Sequence, residues 1–135
     1  MQNYDIAVIG GGAAGLACAV RIKELDKNLS VVIIEKGERA GKKIAASGNG
    51  QGNVSNVDLG AEHYHGSGAY LAEKLCSSGL YSPLKIFDFL FTSDRLGRIY
   101  PAGKQGSALS DCLLRKVEKL GIELKLSTAV TAVEK

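Results

Sequence analysis

The sequence predicts an α/β fold in which a parallel sheet is covered by helices. Three observations lead there. Ile6 to Ile9 and Leu29 to Ile34 are short, continuous apolar runs, the pattern of strands buried on both faces. Between them, Ala13 to Leu25 carries Leu16, Ala17, Val20 and Leu25 at helical spacing. Strand, helix and strand within about 30 residues make a βαβ unit, which is right-handed with parallel strands.

The remaining elements follow in order. From Gly37 to Asn56 periodicity vanishes, and Gly37, Gly41, Gly48, Gly50 and Gly52 punctuate the stretch. A loop this long inside a compact domain is unusual unless it binds something. Ser67 to Ser78 predicts a helix through Tyr70, Leu71 and Leu75. Ser82 is expected as an N-cap with Pro83 at the first helical position, opening a helix to about Phe91. Asp94 to Pro101 predicts a turn and a short strand with Ile99 and Tyr100. Gln105 to Leu120 sets Leu109, Cys112, Leu113, Val117 and Leu120 on one stripe, an amphipathic helix ending at Gly121. Ile122, Leu124 and Leu126 alternate with Glu123 and Lys125, a strand, and Val130 to Val133 predicts the start of another. The parallel sheet then has three obvious strands and an unpaired edge.

Composition narrows the function classes. The chain has 135 residues, room for one domain over 1–135. Its 17 glycines are close to twice the usual ~7%. With only two prolines and no Gly-X-Y period, collagen and low-complexity disorder are excluded. The net charge is +3, the acidic residues are interspersed, and no long basic run or tryptophan appears. That argues against a nucleic-acid partner. Cys18, Cys76 and Cys112 form no CxxC pair, and no apolar run approaches the ~18 residues of a membrane span. A cytoplasmic protein without a membrane segment is expected. Cys18 and Cys112 read as small buried hydrophobes. His63 and His65 are two ligands without a visible partner set, so no metal site is expected. Arg98 reads as a surface salt bridge.

Gly10-Gly11-Gly12-Ala13-Ala14-Gly15 fits GxGxxG, with a strand before it, a helix after it, and Glu35 at the end of the next strand. Each position has a mechanical task. Gly10 permits the tight turn, Gly12 lets a pyrophosphate approach the backbone, and Gly15 lets helix pack on strand. The helix N-terminus offers free N–H groups and partial positive charge. Glu35 can accept hydrogen bonds from ribose hydroxyls, which disfavours a 2′-phosphate there. The fingerprint serves NAD and FAD alike. For Gly41 to Asn56, composition alone leaves both readings open: a cofactor loop in which Lys42 or Lys43 meets a phosphate, and a solvated surface loop.

The segments GGGAAGL, IIEKGERAGKKIAASGNGQGNVSN and GRIYPAGKQGSALSDCLL together resemble the BaiN-like, aminoacetone-oxidase-like FAD-dependent oxidoreductases, over essentially the whole chain. The resemblance implies a Rossmann-like three-layer FAD/NAD(P)-binding fold of the glutathione-reductase type, truncated here before its C-terminal strands. It implies that Gly10, Gly12, Ala13, Ala14 and Gly15 hold the FAD pyrophosphate and that Glu35, followed by Lys36, holds the ribose. Lys43 matches the lysine before the Ser-Gly segment. Ser47, Gly48, Gly50 and Asn53 match a loop on the flavin side, and Val130 matches the backbone position that meets adenine. An anion contact at Arg98 is implied by the resemblance alone. Where many relatives carry Arg-Cys, this chain carries Gln51-Gly52. The function implied is the FAD-binding portion of a flavin-dependent oxidoreductase, with NAD(P)H or oxygen as redox partner. A nucleotide-binding module without turnover and an NAD-dependent dehydrogenase are the alternatives.

Overall fold

A computed structural model of the protein describes residues 3–77 and 83–134, the side chains of 75–77 and 83 excepted. The expected N-cap at Ser82 and the Cys76 side chain lie outside the described residues. The βαβ unit forms as expected: β1 (Ile6–Ile9), α1 (Ala13–Leu25) and β2 (Val31–Ile34). β1 and β2 run parallel, with Ile6 opposite Val31 and Ile9 opposite Ile34. A third parallel strand, β6 (Glu123–Lys125), joins the far side of β2, giving the order β1-β2-β6.

Burial follows that order. β2 has a neighbour on each side, and Val31, Val32 and Ile33 are buried. Among the described residues β1 has one neighbour, and burial on both faces fails there: Ile6 and Val8 are half-buried, whereas Ala7 and Ile9 are exposed. α4 (Gly106–Lys119) packs with α1 on one face of the sheet, where Leu16, Ala19 and Val20 meet Val31, Ile33, Leu109, Leu113 and Val117. Leu25, on the predicted α1 stripe, lies outside this core and is exposed.

The glycine-rich stretch is more ordered than its composition suggests. It holds a one-turn helix, α2 (Lys42–Ala46), and a two-residue strand, β3 (Ser55–Asn56). Gly41 turns the chain into α2 at φ +72°, and its N–H donates to the Gly11 carbonyl at 2.8 Å. α2 packs on α4 because backbone meets backbone. The Gly106 N–H donates to the Gly50 carbonyl at 2.7 Å, and a Cβ on Gly52 would lie 2.8 Å from the Gly106 Cα.

Two sequence expectations are corrected. The expected helix from Pro83 to Phe91 is a 3-10 turn over Pro83–Ile86, followed by β4 (Phe91–Ser93). Phe87, Phe89 and Phe91 recur every second residue, with ring centroids 5.2–6.0 Å apart. That spacing suits an extended chain rather than a helix. β4 pairs antiparallel with β5 (Arg98–Pro101), and β5 with β3, in a second sheet ordered β3-β5-β4. The helix expected over Ser67 to Ser78 is present as α3 (Ala69–Ser77). Val130 to Val133 forms no strand. Ser127, at φ +50°, donates its N–H to the Gly37 carbonyl and turns the chain off the sheet.

Candidate functional site

The parallel register brings the β1–α1 turn beside the end of β2. Gly10, at φ +102°, donates its N–H to the Ile34 carbonyl at 2.8 Å. Glu35 follows directly. Its Oε2 accepts from the Gly11 N–H and its Oε1 from the Gly37 N–H, both at 2.7 Å. Its backbone is fixed as well: its N–H donates to the Lys125 carbonyl, and its carbonyl accepts from Thr128. The Gly37 and Gly11 amides, aided by Lys36 and Lys43, hold the Glu35 carboxyl below the usual glutamate range. Each carboxylate oxygen keeps a further lone pair for an outside donor.

The helix end is built to match. Gly12 caps α1 in extended conformation, and Leu16 is the first residue to donate a helical bond, to the Gly12 carbonyl at 3.0 Å. The Ala13 and Ala14 amides precede it at the open end, and no acidic side chain stands in the first turn. A Cβ on Gly12 would meet nothing within 4 Å. On Gly15 it would lie 1.9 Å from the Gly10 carbonyl oxygen. Gly15 therefore serves close packing, while Gly12 faces open space.

That space is a cleft of about 650 Å3 lined by Gly11, Gly12, the 35–39 segment, Gly41, Lys42 and Lys43. Lys36, Arg39, Lys42 and Lys43 outnumber Glu35 and Glu38 on its walls, a bias toward an anionic ligand. Gly12, Glu35, Lys36 and Lys43 come together here, with Gly10, Ala13, Ala14 and Gly15 in the adjoining turn. Both lysines offered as phosphate contacts, Lys42 and Lys43, stand on this wall, whereas sequence reasoning passed over Gly11, Gly37 and Arg39. Gly11 fills an "x" of the fingerprint, yet a Cβ there would lie 2.8 Å from the Ala40 Cβ.

Ser47, Gly48, Gly50 and Asn53 lie beyond the other end of α2. The Ser47 hydroxyl donates to the Ile44 carbonyl at 2.8 Å, and a Cβ on Gly48 would press the Asn53 amide. Gly48 lines a second, polar cleft of about 540 Å3, shared with Asn49, Gln51 and residues of β5. Val130 is exposed and lines neither cleft.

Other candidates resolve differently. Arg98 makes a two-pronged ion pair with Asp94, Nε and Nη2 lying 2.8 and 2.7 Å from Oδ2, so the salt-bridge reading holds. Arg98 keeps the Asp94 carboxyl below its ordinary range. Cys112 is buried but Cys18 is exposed, a correction that reflects its place on the outer side of α1. His63 meets Asp58 at 2.9 Å, with the Glu62 carboxylate within 4.8 Å of both. No sequence pattern marks that grouping, which forms through a 3-10 turn at Ala61–His63. All three side chains are exposed. Among the described residues no helix is long and apolar enough to cross a membrane.

A parallel sheet in this strand order, a glycine turn into α1, and an acid closing β2 define a Rossmann-type α/β domain. The chain belongs to the HI0933-like family, whose Rossmann-domain model matches residues 4–135. It is 33% identical over 132 residues to the 3-dehydro-bile acid delta(4,6)-reductase of Clostridium scindens, covering 96% of this chain and 32% of that protein. It is 27% identical over 146 residues to the ribosomal RNA dihydrouridine synthase of Escherichia coli, covering 100% of this chain and 34% of that one. The chain thus spans about a third of the length of these relatives. Among solved structures, THI4 of Thermovibrio ammonificans superposes with a TM-score of 0.60 at 18% identity, covering 91% of this chain and 38% of that one. This likeness bears on the fold.

Proposed function

We propose that residues 1–135 are the FAD-gripping part of a flavin-dependent oxidoreductase. The observation that carries the reading is the Glu35 carboxylate, fixed by the Gly11 and Gly37 amides at the lip of the cleft over Gly12. The residues present fit a dinucleotide. The open space over Gly12 leaves room for a pyrophosphate, the Ala13 and Ala14 amides stand at the adjoining open end of α1, and Lys43 adds charge. Glu35 accepts from the ribose hydroxyls through its remaining lone pairs. The polar turn from Ser47 to Asn53 lies on the flavin side, with Gly48 and Gly50 allowing close approach. Lys36 contributes charge at the ribose, and Val130 lies toward the adenine through the segment that Thr128 anchors to Glu35.

When bound, FAD supplies hydride and single-electron chemistry; this chain binds and orients it. The names of the two curated relatives both describe saturation of a carbon–carbon double bond, which supports reduction of an activated alkene in the whole protein. NAD(P)H or oxygen is the redox partner in this reading, the site of action is the cytoplasm, and the 135 residues alone are inactive. The test is the absorption spectrum of the natively purified protein, with the mass of its extracted cofactor. FAD is expected. A colourless protein that takes up no FAD on reconstitution, or one that carries NAD instead, overturns the reading.

A further inference from the structure

The second cleft, between the 48–51 turn and the corner leading from β5 into α4, has no role in gripping a dinucleotide's ADP half. Its walls include Asn49, Gln51, Asp94, Arg98, Tyr100 and Lys104. Asp94 and Arg98 neutralise each other through their two-pronged pair. The Lys104 ammonium has no ion pair or hydrogen bond among the described residues, and neither do the Asn49 and Gln51 side-chain amides. The cleft therefore carries one uncompensated positive charge and two uncommitted amides.

The backbone points to the same place. Among the described residues three that are not glycine have positive φ: Asn49 (+53°), Lys104 (+48°) and Ser127 (+50°). Two of the three line this cleft. Lysine gains nothing locally from the left-handed region, and Gly103 stands beside it without a positive φ. The Lys104 N–H, donating to the Pro101 carbonyl at 2.8 Å, locks the corner. Strain of this kind persists where the surroundings over-determine it, and it gathers at binding sites.

We propose that this cleft is an oxyanion site for a small carboxylate, with Lys104 as its charged partner and Asn49 and Gln51 as its amide donors. As a substrate subsite it rests on the flavoprotein reading above; as an oxyanion site it stands on this cleft alone.

The test is calorimetric titration of the full-length protein with benzoate and with its uncharged isostere benzamide. Saturable benzoate binding is expected, with benzamide weaker by roughly tenfold or more. Lys104→Met should weaken benzoate by a similar factor, Lys104→Arg by no more than about threefold, and Lys119→Met, at the far end of α4, not at all. Lys104→Gly gives a readout that a structural role would not: removing the strained side chain should raise Tm by a few degrees while abolishing binding. Absence of saturable binding, equal binding of benzamide, or wild-type affinity in Lys104→Met overturns the proposal. The flavin spectrum of the same samples separates the two readings. A colourless protein with the Lys104 pattern keeps the oxyanion site and loses the flavoprotein; a yellow protein without that pattern does the reverse.

Discussion

A methyl group on Gly15 would lie 1.9 Å from the Gly10 carbonyl oxygen and 3.1 Å from its carbon, both backbone atoms that cannot swing aside. On Gly12 it would meet nothing within 4 Å, at a φ of −82° that any residue adopts. The two positions should therefore separate fold from binding. Gly15→Ala is expected to lower stability by about 1–3 kcal/mol, read by urea denaturation. Gly12→Ala should change it by no more than about 0.5 kcal/mol yet weaken FAD retention, because its methyl enters the space left for the pyrophosphate. Equal denaturation midpoints for both variants would show that the steric reading of Gly15 is wrong. Glu35 gives a second test at this scale. Its carboxyl is held low in the fold by the Gly37 and Gly11 amides. The carboxylate's contribution is therefore fully present above the unfolded glutamate value, 4.5, and is lost as pH falls through the lower folded value. Glu35→Gln should flatten the acid limb of a stability-against-pH curve and leave its slope at neutral pH unchanged. An acid limb as steep as the wild type's would count against the amide clamp.

At the scale of elements, α2 and α4 meet through glycine, and here two effects oppose. Gly106 is the first residue of α4, where helix propensity alone favours alanine by up to about 1 kcal/mol. A Cβ there would lie 2.5 Å from the Ala45 carbonyl oxygen and 3.1 Å from that of Gly50. Overpacking against backbone costs about 1–3 kcal/mol and should win. Gly106→Ala is expected to destabilise, with thermal melting as the measurement; a raised Tm would mean that the helix ends part easily. The same contact shows what was legible in the sequence. β1, β2, α1 and α4 were readable because each has an unbroken period of its own. Glu35 was readable because it ends β2, and the fingerprint fixes where that end falls. Arg39 was not, because its place on the cleft wall depends on a left-handed turn at Gly41 that no periodicity encodes. The Phe87, Phe89 and Phe91 alternation was masked by the Ser-Pro helix signal just before it. Val130 to Val133 has strand-forming residues, but a strand also needs an edge to pair with, and Ser127 turns the chain away from it.

At the scale of the whole molecule, surface is the informative quantity. The accessible area is 9324 Å2, against about 6800 Å2 for a compact monomer of this mass. Part of the excess is apolar: Ile9, Leu90, Leu96 and Val133 are all more than half exposed. Ile9 matters most, because it lies on β1, which among the described residues is paired along one edge only. β1 reads Ile-Ala-Val-Ile, without the lysine, proline or bulge that usually protects an open edge. The 135-residue chain alone is therefore expected to self-associate at tens to hundreds of micromolar, through strand pairing along β1. Ile9→Lys should suppress this. At 60% exposure the substitution removes little buried area, so stability should move by no more than about 0.5 kcal/mol. Leu25→Lys, more exposed still but on α1, should leave association unchanged, which separates edge pairing from general stickiness. Sedimentation velocity over a concentration series reads the outcome. A chain that stays monomeric throughout, or one whose association responds to Leu25→Lys as strongly as to Ile9→Lys, would show that β1 is not the adhesive edge.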